Sequence, residues 1–349
     1  MAHGFTILQS VPKPRPTTNP YNIMLLDAIR AVPGVTLLDF SWRTALIGRY
    51  DAFHAHWPEI LVDGHTPLKK FARQLCFVLF LLRLTITRTP IIRTLHNIGL
   101  PSGISRRERW LLTWFERRTT LVITLNESTP VPQGAESVLI PHGHYRDWYA
   151  RFPREAVIDG RFGYFGMVRR YKGVEQLVEA FTALPRTGEP YSLRVGGRPS
   201  STELAETIRG LGDGDGRIGF TFDFLEPSEL VALATASELV VLPYRFMHNS
   251  GGILTALSLG RPVLAPDNDV NRALAAEVGD GWVHGFTGDL DASDLIRALD
   301  AVRSDPARPL PDLSGRDWDV MGAAHVAAFR RARAILHGNG DRFAEGDRR

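Results

Sequence analysis

Residues 248–266 read HNSGGILTALSLGRPVLAP. An apolar run, Glu238 to Tyr244 (ELVVLPY), precedes them and reads as a buried strand. Asn249 and Ser250 suit a helix N-cap, and Gly251-Gly252 lets another molecule approach the backbone. Ile253, Leu254, Leu257 and Ser258 mark a helix that stops at Gly260, and Pro262 to Pro266 is the next strand. The unit is therefore strand, small polar turn, helix, strand. A helix N-terminus of this kind holds anions, phosphate above all, through free backbone N–H groups. An ordinary βαβ turn is the other reading.

The same alternation extends in both directions. Strands are expected at Phe5–Leu8, Val35–Phe40, Ala52–His56, Pro90–His96, Leu121–Leu125 and Ser137–Pro141. After a polar linker at Arg151–Gly160 they resume at Arg161–Phe165, Tyr191–Val195, Ile218–Phe222 and Leu239–Leu242, with helical patterns between them. Strands that alternate with helices build open parallel sheets covered on both faces, and 349 residues suit two such domains. The predicted class is α/β with two Rossmann-like, doubly wound domains. Ligands of such pairs bind at the carboxyl ends of the strands, in the cleft that the two domains face. The expected division is 1–155, 156–315, a cross-over helix at 316–336 and a disordered tail at 337–349.

Composition excludes several classes. One cysteine, Cys76, forbids an internal disulfide framework and fits a reducing compartment. The opening MAHGFTILQS lacks the regions of a signal peptide, so the cytoplasm is the expected location. No Cys/His cluster suggests a metal, and no nucleic-acid motif is present. Residues 1–155 carry 19 Lys and Arg against 11 Asp and Glu, a net +8. An anionic partner such as a lipid surface is one explanation, and a solvated basic face is the other. Leu68–Leu84 contains LCFVLFLLRL, too short to span a bilayer and interrupted by Arg83. It reads as a buried helix or as one lying on the inner membrane surface, which would make the protein peripheral there.

Three strand-end loops of the second half carry candidate chemistry. Gly166-Met-Val-Arg-Arg-Tyr-Lys-Gly173 sets Arg169, Arg170 and Lys172 between a strand and a helix, where fixed cations can neutralise a diphosphate. Gly196-Gly197-Arg198 permits close backbone approach or is a plain turn. The third is the stretch at 248–266. In the first half, strand ends carry His54, His56, Trp57, Glu59, His96, Asn97, His142 and His144. Strand-end histidines on several neighbouring strands suit hydroxyl binding or acid–base work.

These motifs together resemble the nucleotide-sugar glycosyltransferases of the GT-B fold, in particular the family 4, or group 1, enzymes. The resemblance rests on Phe165–Val174, on Asn249–Gly252 with Ala256–Val263, on Thr94–Asn97 and on Val138–Gly143. It implies a metal-independent hexosyl transfer, with mannose from GDP-mannose as the first expectation and a glycan or lipid-linked acceptor. The nucleotide sugar is a substrate, and no cofactor is implied. Carried over, Gly166, Arg169, Lys172 and Gly197 would bind the donor diphosphate with Asn249, Ser250, Gly251 and Gly252. Phe224 and Leu225 would flank the base, and His96 would face the transferred sugar. The chain departs from the pattern where two glutamates are usual, at Met247 and Thr255, and where an arginine is usual, at Met167. The stereochemical outcome is thereby left open. An inverting transfer needs a base for the acceptor hydroxyl, for which His96, Glu59 and His142 are candidates. A non-catalytic nucleotide-sugar-binding subunit and a nucleotide-sugar epimerase are the competing functions.

Overall fold

The computed structural model describes residues 4–15, 18–97, 99–100 and 103–338. In chain order the first half holds β1 (Phe5–Gln9), α1 (Pro20–Ala31), β2 (Val35–Leu38), α2 (Trp42–Ile47), β3 (Ala52–Ala55), α3 (Glu59–Val62), α4 (Pro67–Ile86), β4 (Ile91–Leu95), α5 (Arg106–Arg118), β5 (Leu121–Thr124) and β6 (Ser137–Leu139). Then come α6 (Arg146–Tyr149), β7 (Ile158–Phe165), α7 (Val174–Thr182), β8 (Ser192–Gly196), α8 (Thr202–Leu211), β9 (Ile218–Thr221), α9 (Pro227–Ala236) and β10 (Ser237–Val241). The chain ends with α10 (Gly251–Ser258), β11 (Val263–Pro266), α11 (Asp269–Val278), β12 (Val283–Phe286), α12 (Ala292–Ser304) and α13 (Trp318–Leu336).

The described residues form two compact units, one up to Gly143 together with the stretch from Arg316 onward, the other from His144 to Gly315. The sequence placed the division at 155/156. Tyr145 and Arg146 explain the difference, because both are anchored in the second unit. Tyr145 N–H donates to Ser258 Oγ (2.8 Å) and Arg146 to the Pro311 carbonyl (2.5 Å). The expected linker is also shorter, since Ile158–Gly160 already belong to β7, with Ile158 in register with Ser237. Of the expected tail, residues 339–349 lie outside the described residues.

The first unit is a six-stranded parallel sheet of order β2-β1-β3-β4-β5-β6. Its direction of winding reverses between β1 and β3, where an open α/β sheet leaves a crevice at the strand carboxyl ends. Phe53, Phe77, Phe80, Leu81, Leu84 and Phe115 fill the core between β3 and the helices α4 and α5. On the other face α13 packs along α1, so closely at Gly322 that a Cβ would lie 2.6 Å from the Ala28 carbonyl oxygen. The C-terminal helix thus returns to the first unit.

The second unit is again six parallel strands, ordered β12-β11-β10-β7-β8-β9. Here the reversal falls between β7 and β10. The loops leaving those two strands are 166–173, singled out from the sequence, and 242–250, which runs into the stretch singled out at 248–266. Topology, rather than any single motif, brings them side by side.

Candidate functional site

In the second unit, Gly166 (φ 112°) directly follows strand β7 and Gly197 (φ 140°) directly follows β8. These positive angles favour glycine. A Cβ on Gly197 would lie 1.9 Å from the Gly166 carbonyl oxygen, so the two strand ends touch backbone to backbone. Gly197 is therefore a packing residue first. A short 3-10 turn, Arg170–Lys172, leads to Gly173 (φ 63°), whose missing side chain admits the Pro243 carbonyl from the loop after β10. The two loops are also joined by Arg245 N–H donating to the Tyr171 carbonyl at 3.0 Å.

This scaffold separates the three cations of the first loop. Arg170 is drawn away to Glu203 on α8 (2.9 Å). Arg169 is exposed and pairs with no carboxylate among the described residues; its guanidinium lies 3.9 Å from Met167 Sδ. Lys172 is half-buried, its Nζ 4.8 Å from the centre of the Tyr244 ring, and a Cβ on Gly166 would come within 3.6 Å of that nitrogen. Burial lowers the Lys172 pKa from its ordinary value, with Arg169 adding to the effect. An arriving anion would oppose both causes.

Across the switch point stands α10. Ser250 takes the N-cap position, yet its hydroxyl makes no capping bond and is buried without a hydrogen bond of good geometry. Beside it burial pushes the Tyr244 phenol up to about 12. The first N–H groups of a helix have no intrahelical partner, so the Gly251 and Gly252 amides stand at the start of α10 outside its own hydrogen-bond ladder, and no side chain on Gly252 intrudes. Tyr244 was not read from the sequence as a site residue. Its only local signal is its place just beyond β10. Met247 and Thr255, where the family pattern has glutamates, are both buried, and Asn268 Nδ2 donates to the Met247 carbonyl at 2.9 Å. Phe224 is exposed after β9, whereas Leu225 is half-buried and fills the space that Gly196 leaves.

In the first unit the strand-end histidines meet. His56 Nδ1 and His96 Nε2 are 3.0 Å apart, and Trp57 stacks on His96 at 4.2 Å with 19° between the planes. Tyr21 lies at the start of α1, where Pro20 and the Asn19 side chain, accepting from Tyr21 N–H, begin the helix. Its ring meets His56 and His96 edge-on, at 5.9 and 5.4 Å, and lies 4.3 Å from His142. His142 Nδ1–H donates to the Gly143 carbonyl (2.7 Å), and Gly143 has no room for a Cβ beneath Trp318. Tyr21 was missed in the sequence because nothing local marks it. Of the remaining candidates, His54 lies against this cluster, its ring centre 4.3 Å from that of His56. His54 is buried between Gln9 (3.0 Å) and Thr94 (2.9 Å), and His144 belongs to the second unit. Glu59 lines a separate pocket of about 300 Å3 with Lys70 and Glu108, and burial raises its carboxyl pKa.

Burial, the largest cause throughout, holds these imidazoles neutral. It lowers His56 to about 3, His142 to about 4, His325, on α13 with its ring 5.8 Å from His54, to about 4, and His54 and His96 well below 6.5. The unfolded chain therefore binds more protons below pH 6.5. The stabilisation is complete above that pH and is lost as pH falls through 4, at about 1.4 kcal/mol per unit for each such histidine. A steep drop in melting temperature is expected between pH 6.5 and 4.5, made shallower by His325→Leu. A flat profile would contradict it.

The fold is that of the GT-B glycosyltransferases, and the chain belongs to the group 1 glycosyltransferases. The family model described as glycosyl transferases group 1 matches residues 159–305. The chain is 42% identical over 334 residues to a GDP-mannose:glycolipid 4-beta-D-mannosyltransferase of Xanthomonas campestris pv. campestris, covering 95% of this chain and 93% of that protein. Among solved structures, Anabaena HepE in complex with UDP matches at TM-score 0.57 and 17% identity over 97% of this chain and 98% of its own. Sucrose-phosphate synthase of Thermosynechococcus elongatus matches at TM-score 0.56 and 17% identity, with the same coverage. These likenesses show the GT-B fold.

Proposed function

We propose that the protein transfers mannose from GDP-mannose to a hydroxyl of a glycolipid acceptor at the cytoplasmic face of a membrane. The observation that carries this is the pairing, at one switch point, of the Lys172 and Arg169 charges with the uncapped start of α10. Fixed cations and amides aimed at one place stabilise a diphosphate as negative charge develops on it. They supply what a divalent cation would otherwise supply, so the reaction is expected to run without added metal and without a cofactor. The second unit holds the donor in this reading, with Phe224 beside the base. The first unit serves the sugar and the acceptor.

The name of the Xanthomonas relative specifies a β-mannoside. Carried to this chain, which starts from the α-linked mannose of GDP-mannose, that product requires inversion. The acceptor oxygen forms its bond to the anomeric carbon as the bond to the diphosphate breaks. GDP leaves with the electron pair, and a base takes the hydroxyl proton. A single displacement has no use for a carboxylate at Met247 or Thr255. His96 is the base we assign, because Trp57 and His56 fix its ring and burial keeps it neutral. His142 is assigned to acceptor contacts, and Glu59, in its separate pocket, is given no part in the transfer. A thermal-shift panel of GDP, UDP, ADP and dTDP with their sugars tests the donor. GDP and GDP-mannose are expected to raise the midpoint most, since stabilisation follows affinity. A larger shift with UDP or UDP-sugars would overturn the donor assignment.

A further inference from the structure

We infer that the outer face of α4, with the first turns of α5 beside it, docks the protein onto an anionic phospholipid bilayer. This rests on the reading above that the acceptor is a glycolipid. Helix α4 buries Gln74, Phe77, Phe80, Leu81 and Leu84. On the opposite side Leu68, Phe71, Leu75, Leu79, Leu82 and Ile86 are exposed, from 45% for Leu82 to 81% for Ile86. Their spacing of three or four residues places them on one stripe, about 27 Å long at the helical rise. Large apolar side chains scattered singly on a surface are ordinary, but a continuous row marks a contact face.

Charge selects the occupant. No Asp or Glu occurs in Pro67–Ile86. Lys69 and Arg73 are exposed near the start of α4, and Arg106, Arg107 and Arg109 are exposed on α5 beside Trp110, itself 61% exposed. The two helices are tied by Lys70 and Glu108 at 2.7 Å, and a groove of about 580 Å3 between them is lined by Phe71, Arg106 and Arg107. An apolar row bordered by arginines and a tryptophan matches the acyl boundary and headgroup layer of an anionic bilayer. A second copy meeting this face symmetrically would bring the two arginine clusters together, which costs free energy. Among the described residues no helix is long and apolar enough to cross a membrane, so α4 lies along the surface.

The test is co-sedimentation of the full chain with phosphatidylcholine vesicles, with and without phosphatidylglycerol. Binding is expected only with the anionic lipid and is expected to weaken with salt. Leu75→Glu/Leu79→Glu and, separately, Arg106→Glu/Arg107→Glu should each lower it by roughly tenfold or more. Both variants should keep the wild-type thermal shift with GDP, which reports the donor site independently of lipid. If GDP fails to shift the wild type while vesicles bind, the functional reading falls and the docking face stands. Wild-type binding by both variants, or equal binding to neutral vesicles, would overturn the docking face. So would a dimer in sedimentation velocity that Leu75→Glu/Leu79→Glu dissociates.

Discussion

Lys172→Met is expected to lower kcat/KM for mannosyl transfer by about 10²–10³-fold, the usual cost of deleting one preorganised group that meets developing charge. Methionine keeps an unbranched apolar chain, one atom shorter, beside Tyr244 and loses the ammonium group. Loss of the cation–π contact should cost only about 1 kcal/mol of stability. Arg169→Ala is expected to act in the same direction and less strongly, because its exposed guanidinium works through water. Arg170→Ala is the control. Its side chain is occupied with Glu203 on α8, so turnover should stay near wild type. Steady-state kinetics with GDP-mannose and a glycolipid acceptor measure all three, and a fully active Lys172→Met would remove the diphosphate assignment.

The second large effect is expected at His96. If this imidazole accepts the acceptor proton, His96→Ala should lower kcat by about 10²–10⁴-fold with little change in donor affinity. The pH profile separates catalysis from packing. Burial and the neighbouring His56 charge lower the His96 pKa, so the base is free at neutral pH. Wild-type turnover should be level above pH 6.5 and should fall only in acid, as His96 takes up a proton. The variant's residual rate should lack that acid limb. His142→Ala should affect KM for the acceptor more than kcat, and Glu59→Gln should leave both near wild type. A variant at His96 that keeps the acid limb would move the base elsewhere.

Much of this was legible because it is local. The strands are short apolar runs bounded by glycine and proline, and Gly166, Gly173 and Gly260 punctuate them at positions with φ of 112°, 63° and 68°. The stretches at 166–173 and 248–266 could be found because small residues and cations are unusual where a turn only needs to turn. Ser105 and Glu108 form a capping box that fixes the start of α5, again a signal within four residues.

What stayed hidden depends on distant partners. Tyr21 and Tyr244 each sit just beyond a strand or loop with no neighbour in sequence to mark them, and only the fold brings them to His142 and to Lys172. The edge strand β12 reads Val-His-Gly-Phe, too short and too polar to declare itself before Val263–Pro266 pairs with it. The polar look of Ile158–Gly160 suggested a linker, whereas pairing with β10 makes it strand. For α4 the two sequence readings were posed as alternatives. The helix buries one apolar face, as the first reading has it, and exposes another on which the second reading still depends, because its hydrophobic residues go nearly all the way round.

Calorimetric titration of GDP into the wild type and into Lys172→Met tests the grip on the diphosphate most directly. The expected result is saturable one-to-one binding to the wild type, weakened at least about tenfold by removal of one fixed charge at this partly buried site. Equal affinity in the two proteins would mean that the nucleotide is held somewhere other than between Lys172 and the start of α10.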